Sequence, residues 1–237
     1  MSEDEDTGSG TAVRRLLSAG AWALPVHGVL LTVGTLTHQP DPGSDFTAYA
    51  ACVTTTSFLL SHLLASVLGA AVGVVGVASV ALLAAGPSRA PGRSLLAAAL
   101  SAAANVVNAA LFGVAAFAQP AVGRAHLAGS AEAVRFDDDV YGPELMATAA
   151  VGMLLWCAGA VLLGLVLLRC GPGLRLAGAV HAAALPVFFL AGLPGSVLQP
   201  VAGALAAVAG VVVARRLPRA LARPAAAAPR TGQRQRS

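Results

Sequence analysis

Six stretches of this chain run for eighteen residues or more without one Asp, Glu, Lys or Arg: Leu16 to Thr37, Ser57 to Ala85, Ser94 to Ala118, Leu145 to Leu168, Leu176 to Leu193 and Val197 to Ala214. Crossing the hydrocarbon core of a bilayer takes about 20 apolar residues, because each helical residue advances about 1.5 Å. A soluble domain of 237 residues needs far more charge to cover its surface than the 11% present here, with 57% of the residues hydrophobic. The expected fold is therefore all-α, a polytopic transmembrane helical bundle of about six spans. The second stretch is longer than a bilayer requires, so it tilts or its Ser57 end protrudes. The last two are short, and one re-entrant hairpin is their alternative.

Orientation follows from the basic residues, since cytoplasmic flanks keep Lys and Arg while translocated loops lose them. All fifteen are Arg, and with the amino terminus inside only Arg124 and Arg135 fall outside. Both termini are then cytoplasmic and the chain belongs to the cell membrane. The pI near 9.6 is a topology signal, with no nucleic-acid partner implied. The polar ends, residues 1–15 with the acidic run Glu3, Asp4, Glu5 and Asp6, and residues 215–237 rich in Arg, Ala and Pro, are expected to be disordered. The second suits loose attraction to anionic lipids. Arg14 and Arg15 precede an apolar stretch with no small-x-small cleavage site before His38, so that stretch reads as an anchor that stays in the membrane.

Soluble chemistries find no foothold. Cys52, Cys157 and Cys170 fall in different compartments, and no zinc spacing, phosphate-binding glycine loop or hydrolase elbow occurs. Two equivalent turns, Gly86-Pro87 with Arg89 and Gly171-Pro172 with Arg175, hint at three helices plus three, but the halves do not align.

Polar residues inside the spans carry the information, because they are costly in lipid and face protein or water. At about 100° per residue, Gly20, His27, Gly34 and His38 share one face of the first span. His62 shares a face with Ser66, Gly69, Gly73 and Gly76, which holds a Gly-x-x-x-Gly element and should meet another helix closely. Ser101, Asn105, Asn108 and Gln119 form a third stripe, interrupted by Phe112. Taken by depth, His38, His62, His27, Asn108, Asn105 and His181 make a broken polar ladder, with Pro25 and Pro186 placed to free carbonyls beside it. His27, His62, Asn105 and Asn108 are the candidate binding residues. Interhelical glue is the competing reading for each of them, and His181 reads as a packed or headgroup-level histidine.

The loop from Gln119 to Glu144 is the second concentration of chemistry. Asp137, Asp138, Asp139 and Glu144 there could hold a hard divalent cation, and through it a phosphate, although a solvated acidic loop is the default. Several function classes remain. One is a small-solute or proton-conducting transport protein using the His and Asn ladder, which requires a water-lined cavity touching His27, His62 and Asn108. Another is a membrane enzyme acting on a lipid-linked phosphate, which requires Asp137 to Asp139 folded over Arg124 or His126. A haem-binding redox protein with His27 and His62 as axial ligands, and a structural or assembly protein without a site, complete the set. The bilayer is the one certain partner; no cofactor and no oligomeric state follow from the sequence.

Overall fold

The computed structural model describes residues 3–36, 39–192 and 197–222, and no strand occurs among them. The first apolar stretch folds as two helices, α1 (Glu3–Gly20) and α2 (Ala23–Gly34), joined by a tight turn at Ala21 and Trp22. Pro25 stands in the first turn of α2, where a helix has no use for the missing N–H. It therefore helps start α2 and frees no mid-helix carbonyl, contrary to the expectation from sequence. The second span is composite: α4 (Thr56–Leu60), a π-helical segment (Ser61–Leu68) and α5 (Gly69–Ala85). Between these two spans lies the short helix α3 (Phe46–Val53), started by Asp45, whose carboxylate accepts from the Ala48 N–H at 2.9 Å. The remaining spans are α6 (Pro91–Leu127), α8 (Pro143–Leu168), α9 (Pro172–Gly192) and α10 (Leu198–Ala222), with the short α7 (Ala133–Val140) between α6 and α8.

Six of these are long and apolar enough to cross a membrane. The last two, of 21 and 24 residues, are each sufficient for a full crossing, so a re-entrant hairpin is not needed. Both ends of the chain differ from the sequence reading. Helix α1 begins at Glu3, within the stretch expected as a tail, and α10 runs through Arg215, Arg216 and Arg219 to Ala222. Ala, Leu and Arg are strong helix formers and carry the helix beyond its apolar part. His38 and residues 223–237 lie outside the described residues.

Each span packs on its neighbours in sequence, and the first closes on the last, giving an up-and-down ring in the order α2, α5, α6, α8, α9, α10. One end of the ring carries Arg14, Arg89, Arg169 and Arg216, and there Arg14 Nη2 donates to the Pro218 carbonyl at 3.1 Å and Arg216 Nη1 to the Gly173 carbonyl at 3.1 Å. This is called the arginine face below. The opposite end, the loop face, carries α3 and α7. The outside of the ring is an apolar belt that includes Val26, Val29, Val75, Leu82, Val106, Leu154 and Val208, all well exposed, as a lipid-facing surface must be.

Lipid tails are as apolar as Leu, so the helices are held by close packing and hydrogen bonds rather than by burial from water. The small residues show where. A Cβ on Gly76 would lie 2.6 Å from the Leu24 amide nitrogen, and one on Gly164 would lie 2.5 Å from the Gly178 carbonyl oxygen. Those backbones touch only because side chains are missing. Toward the arginine face α5 also reaches α8 and α10 across the ring, and Val77, Val80, Ala84, Leu163, Leu167 and Val213 fill its centre. The ring is closed at that end.

Candidate functional site

The polar stripes of three spans meet inside the ring. His27 on α2 is 3% exposed, and its Nδ1 lies 2.8 Å from the Gly69 carbonyl, where the π-helical segment gives way to α5. A carbonyl only accepts, so Nδ1 carries the proton and Nε2 keeps the lone pair. The ring stacks on Trp156 of α8, with centroids 5.6 Å apart and planes 25° from parallel, and Trp156 in turn meets Phe189 of α9 at 4.3 Å. Gly73 makes this possible. A Cβ there would stand 2.7 Å from Asn105 Oδ1 and 2.8 Å from His27 Cε1, so the imidazole and the amide face one another across a glycine.

From His27 a cavity of about 330 Å³ extends to the loop face. All six helices of the ring contribute to its wall. Near its inner end are His27, Asn108 and Trp156, midway are His62 and Ser66, and at the mouth are Thr35, Gln39 and Gln199. The volume corresponds to about ten waters at ~30 Å³ each, within the range of small-molecule sites. His62 donates from Nδ1 to the Phe58 carbonyl at 3.0 Å, and its ring lies 4.0 Å from that of Phe58 and 6.1 Å from that of Phe112. Three of the four candidate binding residues, His27, His62 and Asn108, thus share one cavity. Asn105 stands behind its wall, donating from Nδ2 to the Ser101 carbonyl at 2.8 Å.

Four atoms in this region are buried without a hydrogen-bond partner: Asn105 Oδ1, Asn108 Nδ2 and both ring nitrogens of His181. Each such atom costs about 1–3 kcal/mol when nothing satisfies it. His181, 2% exposed, is packed among the helices.

The Gly-x-x-x-Gly face packs as its pattern requires. Ala65 and Ser66 lie under Gly34, Gly69 under Leu30, Gly73 at His27 and Gly76 under Leu24, so the second span lies along α2 throughout. Sequence reasoning missed Trp156, Phe188, Phe189, Thr35 and Gln199. The aromatic three sit in apolar stretches where nothing separates a cavity wall from lipid-facing bulk, whereas Gln199, a lone amide at the start of a span, was a signal available.

The acidic loop is arranged differently. Successive residues of α7 point about 100° apart, which separates the three carboxylates. Asp137 turns inward, 6% exposed, and accepts from the Tyr49 hydroxyl at 3.1 Å, while Asp138, Asp139 and Glu144 are exposed. Burial, followed by the neighbouring Asp138, raises the Asp137 pKa above its ordinary value, against the opposing effect of the Tyr49 bond. Among the described residues no three His, Cys, Asp or Glu side chains are placed to hold a metal. Arg124 and His126 are absent from the cavity wall; His126 Nε2 pairs with Thr47 Oγ1 at 3.0 Å and its ring meets Phe46. Asp137 is therefore a peg that fastens α7 to α3.

No protein-family model, curated protein or solved structure matches the chain. Fold and site together define a class, an integral membrane protein of six apolar helices arranged as a ring around a cavity of mixed polar and aromatic lining, closed at one end.

Proposed function

We propose that this chain is a small-solute or proton-conducting transport protein of the cell membrane, with its site at His27, His62 and Asn108. The supporting observation is the cavity that these three side chains share, which runs from one face to His27, Asn108 and Trp156 at mid-ring, while packed apolar side chains fill the ring toward the arginine face. A pocket open to one side and closed to the other is what one state of an alternating-access protein needs. Asn108 lines the cavity, and His27, whose Nδ1–H is held by Gly69, keeps the lone pair of Nε2 as an acceptor. The arginine distribution favours an arginine face in the cytoplasm, so that the mouth opens outward. The diverging carboxylates on α7 leave the lipid-phosphate enzyme without an equivalent support.

The test is access to the inner end of the cavity. With Cys52, Cys157 and Cys170 replaced by Ala, Asn108→Cys is offered a membrane-impermeant, cationic methanethiosulfonate reagent in sealed vesicles of each orientation. Labelling from the loop face and protection from the arginine face is the expected result. No labelling from either face in folded protein removes the cavity as a route.

A further inference from the structure

The cavity wall is polar in places but offers no counter-ion. Among the described residues that line it there is no Asp, Glu, Lys or Arg; its polar groups are imidazoles, amides and hydroxyls. A charged reagent still reaches Asn108 while the cavity is full of water, because it keeps its hydration. A ligand that displaces the water does not. Stripping an ion costs several kcal/mol, and a cation over an aromatic face regains about 0.5–2 kcal/mol. One face of Trp156 is already covered by His27. The wall therefore selects against anions and organic cations alike.

The same wall is rich in rings. Phe, Trp and Tyr make up 5% of the chain, yet four of the seventeen lining residues are Phe or Trp. Trp156, Phe189 and Phe188 form one chain of rings, with successive centroids 4.3 Å and 5.7 Å apart, and His62 and Phe112 form a second group at 6.1 Å. Rings that served packing alone would close the space between them, whereas these stand around about 330 Å³. A flat π-system gains ~0.5–1.5 kcal/mol against such faces and edges beyond its buried area. At ~30 Å³ per water-sized group the volume suits a guest of about ten non-hydrogen atoms.

We infer that the cavity binds an uncharged aromatic solute, one ring or a fused pair, that carries a hydrogen-bond donor for His27 Nε2. This rests on the transport reading and names the solute of that same site. His27 supplies the acceptor because its Nδ1–H is held by Gly69, and His62 is committed in the same way, with Nδ1 toward the Phe58 carbonyl. At the mouth Gln39 and Gln199 bring amide N–H groups for an acceptor at the other end of the solute. A proton carried at His27 occupies the same lone pair, so solute and proton take the site in turn.

The test uses the full chain in vesicles, with Asn108→Cys as its one cysteine, and measures the rate of labelling from the loop face in the presence of four probes of similar size. They are 4-hydroxybenzamide, the anion 4-hydroxybenzoate, the cation 4-hydroxybenzylammonium, and 4-hydroxycyclohexanecarboxamide, which keeps both polar groups and lacks the π-faces. The aromatic amide should slow labelling. The two charged probes should need at least about tenfold more for the same protection, since an unpaired buried charge costs more than the ~1.4 kcal/mol of that step, and the saturated amide several-fold more. Phe189→Leu, which keeps apolar bulk without the ring, should weaken protection by the aromatic amide several-fold; Phe112→Leu serves if that variant does not fold. A charged or saturated probe that protects as well as the aromatic amide overturns the inference. The two readings fail separately: an unlabelled Asn108→Cys removes the cavity and its solute together, whereas a labelled cavity that no probe protects leaves the cavity standing and overturns the solute alone.

Discussion

Adding one methyl group at Gly73 tests whether the site is held by close packing. A Cβ there stands 2.7 Å from Asn105 Oδ1, 2.8 Å from His27 Cε1 and 2.9 Å from His27 Nδ1. Carbon and oxygen settle at about 3.3–3.6 Å, so two rings of contacts must each yield by more than half an ångström. The imidazole is pinned by Gly69 on one side and Trp156 on the other, so it moves only by giving up the 2.8 Å bond. Overpacking of this kind costs about 1–3 kcal/mol. For a chain of this size that is about 2–4 °C of melting temperature per kcal/mol, read by thermal denaturation in detergent. Gly113→Ala is the control, since nothing lies within 4 Å of its Cβ and Ala is the better helix former. Gly76→Ala, which meets the Leu24 backbone at 2.6 Å, should cost stability without touching His27 and so separates a packing loss from a site loss. If Gly73→Ala and Gly113→Ala melt at the same temperature, the tight junction between α2, α5 and α6 does not exist.

Three further outcomes are expected. In proteoliposomes under a potassium diffusion potential, His27→Ala should reduce proton flux to the level of empty vesicles, while His27→Gln keeps the melting temperature without restoring flux; wild-type flux in His27→Ala removes His27 from the path. Cysteines at Asp45 and Asp138 should label from the outside of intact cells, and labelling only after permeabilisation reverses the orientation. Because the Asp137 pKa is raised in the folded state, its contribution to stability is complete below the unfolded value of about 3.9 and is lost as pH rises through the folded one. Melting measured from acid to neutral pH should therefore decline across that window, and Asp137→Asn, which still accepts from Tyr49, should flatten the decline; an unchanged slope assigns it to another group.

The sequence showed the spans because lipid demands an uncharged run, and that demand leaves the same mark whatever the helix touches. It did not show where helices end, since α6 continues through Gln119 and Pro120 to Leu127 and α10 through three arginines, where charge is no longer excluded once the chain has left the hydrocarbon. The stripes on the second and third spans were legible because Gly, Ser and Asn among Ala, Val and Leu carry direction. The inward turn of Asp137 away from Asp138 and Asp139 was hidden only while the loop was read as unstructured; a helix over Ala133–Val140 separates them at once. The convergence of His27 and Asn105 depended on Gly73, whose missing side chain is visible in sequence but whose neighbours are not.

The π-helical segment at Ser61–Leu68 has a consequence for how the cavity could close. An i→i+5 turn houses a residue more than an α-helical turn, and such turns are rare inside α-helices. Drawing that residue out into the Thr54–Thr55 connection would rewind the segment to α geometry and turn everything ahead of it by about 100° about the helix axis. His62 and Phe58 would sweep along the wall together, like teeth on a ratchet, while Gly69 and Gly73 stayed seated on α2. The second span thus joins a π-helical segment that carries His62 to an α-helical one seated on α2, and the two meet at Gly69, the residue whose carbonyl holds His27.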